Sequence, residues 1–117
     1  MAIAFNKAPA VMPPAVLPKV RERQDVVDAL SEAAKAADIT DSEALRQLLD
    51  AYLAQPFLIA EATKGNLDAT LAPCRVSNAL LVGVQRHARI SGVSVSELIR
   101  QVVRRQVGAA PARAGRQ

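Results

Sequence analysis

Apolar residues recur with helical spacing in four stretches of the chain, and three of them are preceded by a start signal. Val26, Val27, Leu30 and Ala34 form one stripe, and Leu80, Leu81, Val84 and Ala88 form another. Leu45, Leu48, Leu49 and Leu53 make a third, matched by Ile99, Val102, Val103 and Val107. The helix carrying the Leu80 stripe opens at Ser77, a good N-cap. The third and fourth helices open at Thr40 and Ser94, each followed three residues later by a glutamate, Glu43 or Glu97. That spacing is a capping box: the hydroxyl accepts a first-turn amide and the glutamate reaches back to the cap amide. Tight turns at Asp38 and Gly92 separate the helices of each pair. Ahead of each pair lies a short segment of apolar and charged alternation, "VLPKVRE" (16–22) and "TLAPCRV" (70–76), which reads as a strand.

The two pairs are copies. Sliding the sequence by 54 residues aligns 17–53 with 71–107 and superposes "SEALRQ" (42–47) on "SELIRQ" (96–101), with four identities in six positions. Leu17/Leu71, Arg21/Arg75 and Ala34/Ala88 also coincide, and the apolar positions agree in class throughout. An internal duplication follows. The chain is then divided into an arm (1–15), a first strand–helix–helix unit (16–54), a linker (55–69), a second unit (70–107) and a basic tail (108–117). The arm and tail, rich in Ala and Pro, are expected to be flexible, with Gly108 ending the last helix and Pro111 preventing its resumption. In the linker Pro56 closes the preceding helix, Gly65-Asn66 marks a turn, and Phe57, Leu58 and Ile59 are apolar enough to pack on the shared core.

Composition narrows the chemistry. The 117 residues carry a formal charge of +4, which permits a nucleic-acid partner. One cysteine, Cys74, excludes an intrachain disulfide, and with one histidine, His87, the chain cannot build a usual zinc centre. Cys74 is expected to be a small core residue and His87 to be exposed. No paired carboxylates, phosphate loop or triad can be assembled, so neither an enzyme nor a cofactor is expected. No run of residues is long and apolar enough to span a membrane, and Pro9, Pro13 and Pro14 break any signal-peptide core; a cytoplasmic protein is expected.

A lone six-residue strand needs a partner for its backbone groups, and two short helices cannot bury their stripes on each other alone. Two units meet both needs if the strands pair as an antiparallel ribbon over four interlocked helices. This arrangement, with "CRVSNALLVGVQRHARISGVSVSELIRQVVRRQV" and its "SVSELIR" helix opening, resembles the ribbon-helix-helix DNA-binding family of the Arc and methionine repressors, in a fused form carrying both units in one chain. The resemblance implies a mainly α fold with a short β-ribbon, an intramolecular pseudo-dimer. It implies a protein that binds double-stranded DNA with sequence preference, as a repressor or as an accessory factor of plasmid transfer (conjugation) or maintenance. The ribbon would enter the major groove, with Lys19, Arg21 and Arg75 reading bases, Val20 and Cys74 facing the core, and Leu17 and Leu71 outward beside the cations. The second helices would dock on phosphate, with Thr40, Ser42, Ser94 and Ser96 adding hydroxyl donors. Arg46 and Arg100, three residues after Glu43 and Glu97, suit an ion pair better than a DNA contact.

The sequence departs from the family at Pro73, where a reader is usual, and at Glu22, where the second unit has Val76; Pro18 and Pro73 also weaken the ribbon ladder. These departures favour, as the alternative, a protein-interaction module, antitoxin-like or an assembly partner, without specific DNA reading. Charge is also split. Residues 21–54 hold four cations against eight anions, and residues 75–108 hold six cations against one anion. Self-association along DNA, the acidic face of one molecule meeting the basic face of its neighbour, or contact with a plasmid-transfer or regulatory protein, is the expectation this raises; Arg104 and Arg105, aligned with Asp50 and Ala51, mark the same split.

Overall fold

In the computed structural model, residue 5 and residues 14–60 and 67–107 are described. The expected tail, the Gly65-Asn66 turn and most of the arm lie outside those residues. The described elements are β1 (Ala15–Val16), β2 (Arg21–Glu22), α1 (Gln24–Ala36), α2 (Asp41–Ala54), β3 (Ala69–Thr70), β4 (Arg75–Val76), α3 (Asn78–Ser91) and α4 (Val95–Val107). The fold is mainly helical with a small antiparallel ribbon. Every element between 69 and 107 begins 54 residues after its counterpart between 15 and 54, the offset at which the sequence repeats.

Local chemistry accounts for these boundaries. Thr40 accepts from the Glu43 amide at 3.0 Å, Ser94 from the Glu97 amide at 3.0 Å, and Ser77 from the Leu80 amide at 3.1 Å. Both glutamates, however, are buried, and their carboxylates receive side chains of the next helical turn, Arg46 and Gln47 in α2 and Arg100 and Gln101 in α4. Helices α1 and α3 end in matching Schellman turns. Ile39 N donates to Ala34 O and Asp38 N to Lys35 O; Val93 N donates to Ala88 O and Gly92 N to Arg89 O. Asp38 (φ 60°) and Gly92 (φ 74°) hold the left-handed position of these turns. A Cβ on Gly92 would meet nothing within 4 Å, so its substitution is a matter of backbone conformation alone. Gly92→Ala is expected to destabilise the protein by about 1–2 kcal/mol, readable as a lower midpoint in urea unfolding with an unchanged slope.

Strand β1 pairs with β4 (Ala15 with Val76, Val16 with Arg75) and β2 with β3 (Arg21 with Thr70, Glu22 with Ala69). Both pairings share one register, which carried inward sets Pro18 opposite Pro73. Neither proline has an N–H to give, so the ladder lapses between the two short sheets. It is bridged only by Leu17 N to Cys74 O and Leu71 N to Val20 O, both 2.9 Å. The lapse also breaks the alternation of faces. Leu17 and Leu71 turn inward with Val20 and Cys74, while Pro18, Lys19 and Pro73 are exposed. This corrects the outward placement of Leu17 and Leu71, which assumed an unbroken pleat.

Beneath the ribbon the core is aliphatic: Val26, Leu30, Leu45, Leu48, Leu49, Val84, Leu98, Ile99, Val102 and Val103 are almost fully buried. Helix α2 packs on α1, α3 and α4, and α4 on α1, α2 and α3, so α1 and α3 flank the central pair. Among the described residues of the linker Ile59 is the one fully in the core; Phe57 is half-buried and Leu58 exposed, and residues 56–60 form no helical turn. Gln101 clasps this segment, its Oε1 accepting from Ala60 N at 2.7 Å and its Nε2 donating to Ala60 O at 3.0 Å. Phe5 from the arm packs on the core as well.

Candidate nucleic-acid interface

The three proposed readers, Lys19, Arg21 and Arg75, are all exposed on the outward face of the ribbon. Their surroundings differ. Arg21 Nη2 and Nε donate to the carbonyl of Leu67 at 2.9 and 3.3 Å, so the linker holds that guanidinium. Arg75, its counterpart in the repeat, stands across the ribbon from exposed Val16.

Thr40, Ser42, Arg46, Pro73 and Arg75 line one open cavity of about 470 Å³, where the ribbon meets the start of α2. Two of the candidate phosphate hydroxyls and one candidate reader are thereby brought together. The Ser42 hydroxyl donates to Pro73 O, which ties the helix start to the ribbon. At the same helix start Asp41 accepts from Ser31 Oγ at 2.5 Å and places a carboxylate in the first turn, where it competes with any incoming anion. The equivalent position in α4 is Val95, and the only acid in that first turn is Glu97, buried and paired with Arg100. Ser94 and Ser96 therefore open onto a helix start with the more favourable field for phosphate, although Ser94 Oγ already accepts the Glu97 amide.

Arg46 and Arg100 are structural, in the manner their spacing suggested and with an addition it did not. Each pairs with its helix glutamate, and each also crosses to the other unit's strand: Arg46 Nε donates to Arg75 O at 2.7 Å and Arg100 Nη1 to Arg21 O at 3.0 Å. These matched bonds hold the strand ends on the opposite unit's helix.

Arg104 is not a surface contact. Its guanidinium makes a two-pronged pair with Glu22, which is fully buried and also accepts from Arg23 N at 2.8 Å. Arg105 lies 4.5 Å above the Phe57 ring. Phe57 meets Tyr52 edge-on at 4.9 Å, and Tyr52 meets His87 at 5.4 Å with its hydroxyl 3.4 Å from Nδ1. His87 is therefore half-buried in an aromatic chain and not exposed as expected. Cys74 is buried with its Sγ 3.2 Å from Ser42 O, and desolvation pushes its thiol up to about 11, which keeps it protonated and unreactive at neutral pH.

Among the described residues no group of three or more His, Cys, Asp or Glu is placed to hold a metal ion, and no helix is long and apolar enough to cross a membrane. No protein-family profile, curated protein or solved structure matches the chain.

Proposed function

We propose that the chain is a single-chain pseudo-dimer of the ribbon-helix-helix kind that binds double-stranded DNA with sequence preference. On this reading the ribbon enters the major groove and the helix starts of α2 and α4 rest on flanking phosphates. The observation that carries it is the cavity at the start of α2, where Arg75 stands beside Thr40 and Ser42. A base-reading cation and the Thr40 hydroxyl, whose proton is not engaged by Glu43 N, stand at a helix N-terminus within one cavity and suit a groove edge and its adjoining phosphate. Such a protein serves as a transcriptional repressor or as an accessory factor that positions others on plasmid DNA.

A protein-interaction role is the second reading, favoured by the apolar middle of the ribbon. There Pro18 and Pro73 are exposed, and Val16 keeps 53% of its surface open. The two readings separate in a fluorescence-anisotropy titration against a duplex selected from a random pool, repeated across a salt series. DNA binding predicts a log–log slope of roughly −3 to −5, as for three to six phosphate contacts. Absence of any binding at low salt would overturn it.

A further inference from the structure

We propose that the outer faces of α1 and α3 are complementary docking surfaces through which copies of this chain associate head to tail. The two helices occupy equivalent places in the repeat, on opposite flanks of the α2/α4 pair, yet their exposed faces differ in net charge: α1 carries three acids and Lys35, α3 two arginines and no acid.

On α1 the exposed acids Asp25, Asp28 and Glu32 are spaced three and four residues apart, so they form one stripe. Asp25 is answered by Arg23 Nε at 3.0 Å, and Asp28 receives only the neutral amide of Gln24 at 2.9 Å. Among the described residues neither Asp28 nor Glu32 has a cation within ion-pair distance. On α3 the aligned positions carry Ala79 for Asp25, Val82 for Asp28 and Arg86 for Glu32, with Arg89 one turn further on. Arg86 and Arg89 are exposed and likewise have no carboxylate partner among the described residues. Val82 and Ile90 remain 57% and 74% exposed beside them. An open groove of about 500 Å³ runs past Val82, Gly83 and Arg86.

The charge pattern selects the geometry of association. An α1-to-α1 contact would oppose carboxylates to carboxylates, and an α3-to-α3 contact arginines to arginines. Lys35 offers an α1-to-α1 contact one cation against three acids on each face, so that contact stays net repulsive. The crossed contact sets a net acidic face against a wholly basic one, and it leaves a free α1 face at one end and a free α3 face at the other. Such a heterologous contact does not close into a symmetric dimer; it propagates in one direction. Because the paired charges are exposed, the association is weak and sensitive to salt, and lining copies up on a shared polymer would strengthen it by effective concentration.

The inference does not depend on the DNA-binding reading, since association is tested on the full chain alone. Sedimentation velocity of the wild type at about 10 mM salt, where charges act over about 30 Å, should show mass rising with concentration past the dimer; at about 1 M salt it should be monomeric. The double variants D28K/E32K and R86E/R89E, all at exposed positions, should each remain monomeric at low salt with unchanged circular dichroism. Mixed in equal amounts, they should associate again, because each then supplies the sign the other lacks. A wild type that stays monomeric at low salt overturns the proposal. So does a dimer that grows no further, or a mixture that fails to associate.

Discussion

Replacing Arg104 by alanine is expected to destabilise the protein by about 3–5 kcal/mol, the usual effect of leaving a buried charge without its partner. For a domain of this size that lowers Tm by roughly 15–25 °C. Glu22 has no exposed surface, and the Arg104 side chain retains only 19% of its own. With the guanidinium gone, the carboxylate keeps the Arg23 amide as its other described donor. The repeat supplies a control. The positions equivalent to Glu22 and Arg104 are Val76, fully buried, and Asp50, exposed. The double change Glu22→Val and Arg104→Asp thus copies an arrangement the same fold already accommodates, and should lie within about 1 kcal/mol of wild type, since apolar replacement of a buried pair is often neutral. Thermal and urea unfolding of both variants decides the matter. A double variant as unstable as Arg104→Ala would mean that the arginine stabilises by its packed stem and not by its charge.

That pair was visible in the sequence as two separate oddities and could not be joined there. Glu22 stood where the other unit has an apolar residue, and Arg104 where the other has an acid. Each mismatch alone looked like divergence. Only the ion pair between Glu22 of β2 and Arg104 of α4 joins them, across 82 residues.

What was legible has a common character: it depended on interactions within about one helical turn. The three hydroxyl caps, the left-handed turns at Asp38 and Gly92, and the buried stripes of all four helices follow from local spacing. The arginine–glutamate pairs of α2 and α4 follow in the same way. What was misread depended on longer distances or on a broken period. Leu17 and Leu71 were assigned by counting alternate residues across prolines, and the facing Pro18 and Pro73 interrupt that count. His87 lies among arginines in sequence but meets Tyr52 from the other unit in space. Of the candidate site, what was legible is the exposure of Lys19, Arg21 and Arg75. The site's asymmetry was not, because it comes from the Leu67 carbonyl on one side and the Asp41 carboxylate on the other.

That asymmetry gives the second large expectation. On the DNA-binding reading, Arg75→Ala should weaken binding to a selected duplex by roughly 10- to 100-fold, the loss of about 1–3 kcal/mol expected for a bidentate arginine–guanine contact. Arg21→Ala should weaken it several-fold less. To reach a base, Arg21 must first release its two hydrogen bonds to Leu67 O at 2.9 and 3.3 Å. Bonds of this kind contribute about 0.5–1.5 kcal/mol each, and their loss is offset against the gain from the base. The same competition acts at the helix starts. Asp41→Asn, which removes a carboxylate from the first turn of α2, should raise affinity for all sequences alike and add nothing to specificity. Anisotropy titrations of the three variants on the selected duplex and on a scrambled one separate these effects. Equal losses for Arg21→Ala and Arg75→Ala would mean that the Leu67 contact dissolves on binding without consequence. Unchanged affinity for both would remove the ribbon from the DNA and leave the interaction-module reading, with the exposed Pro18 and Pro73 at its centre.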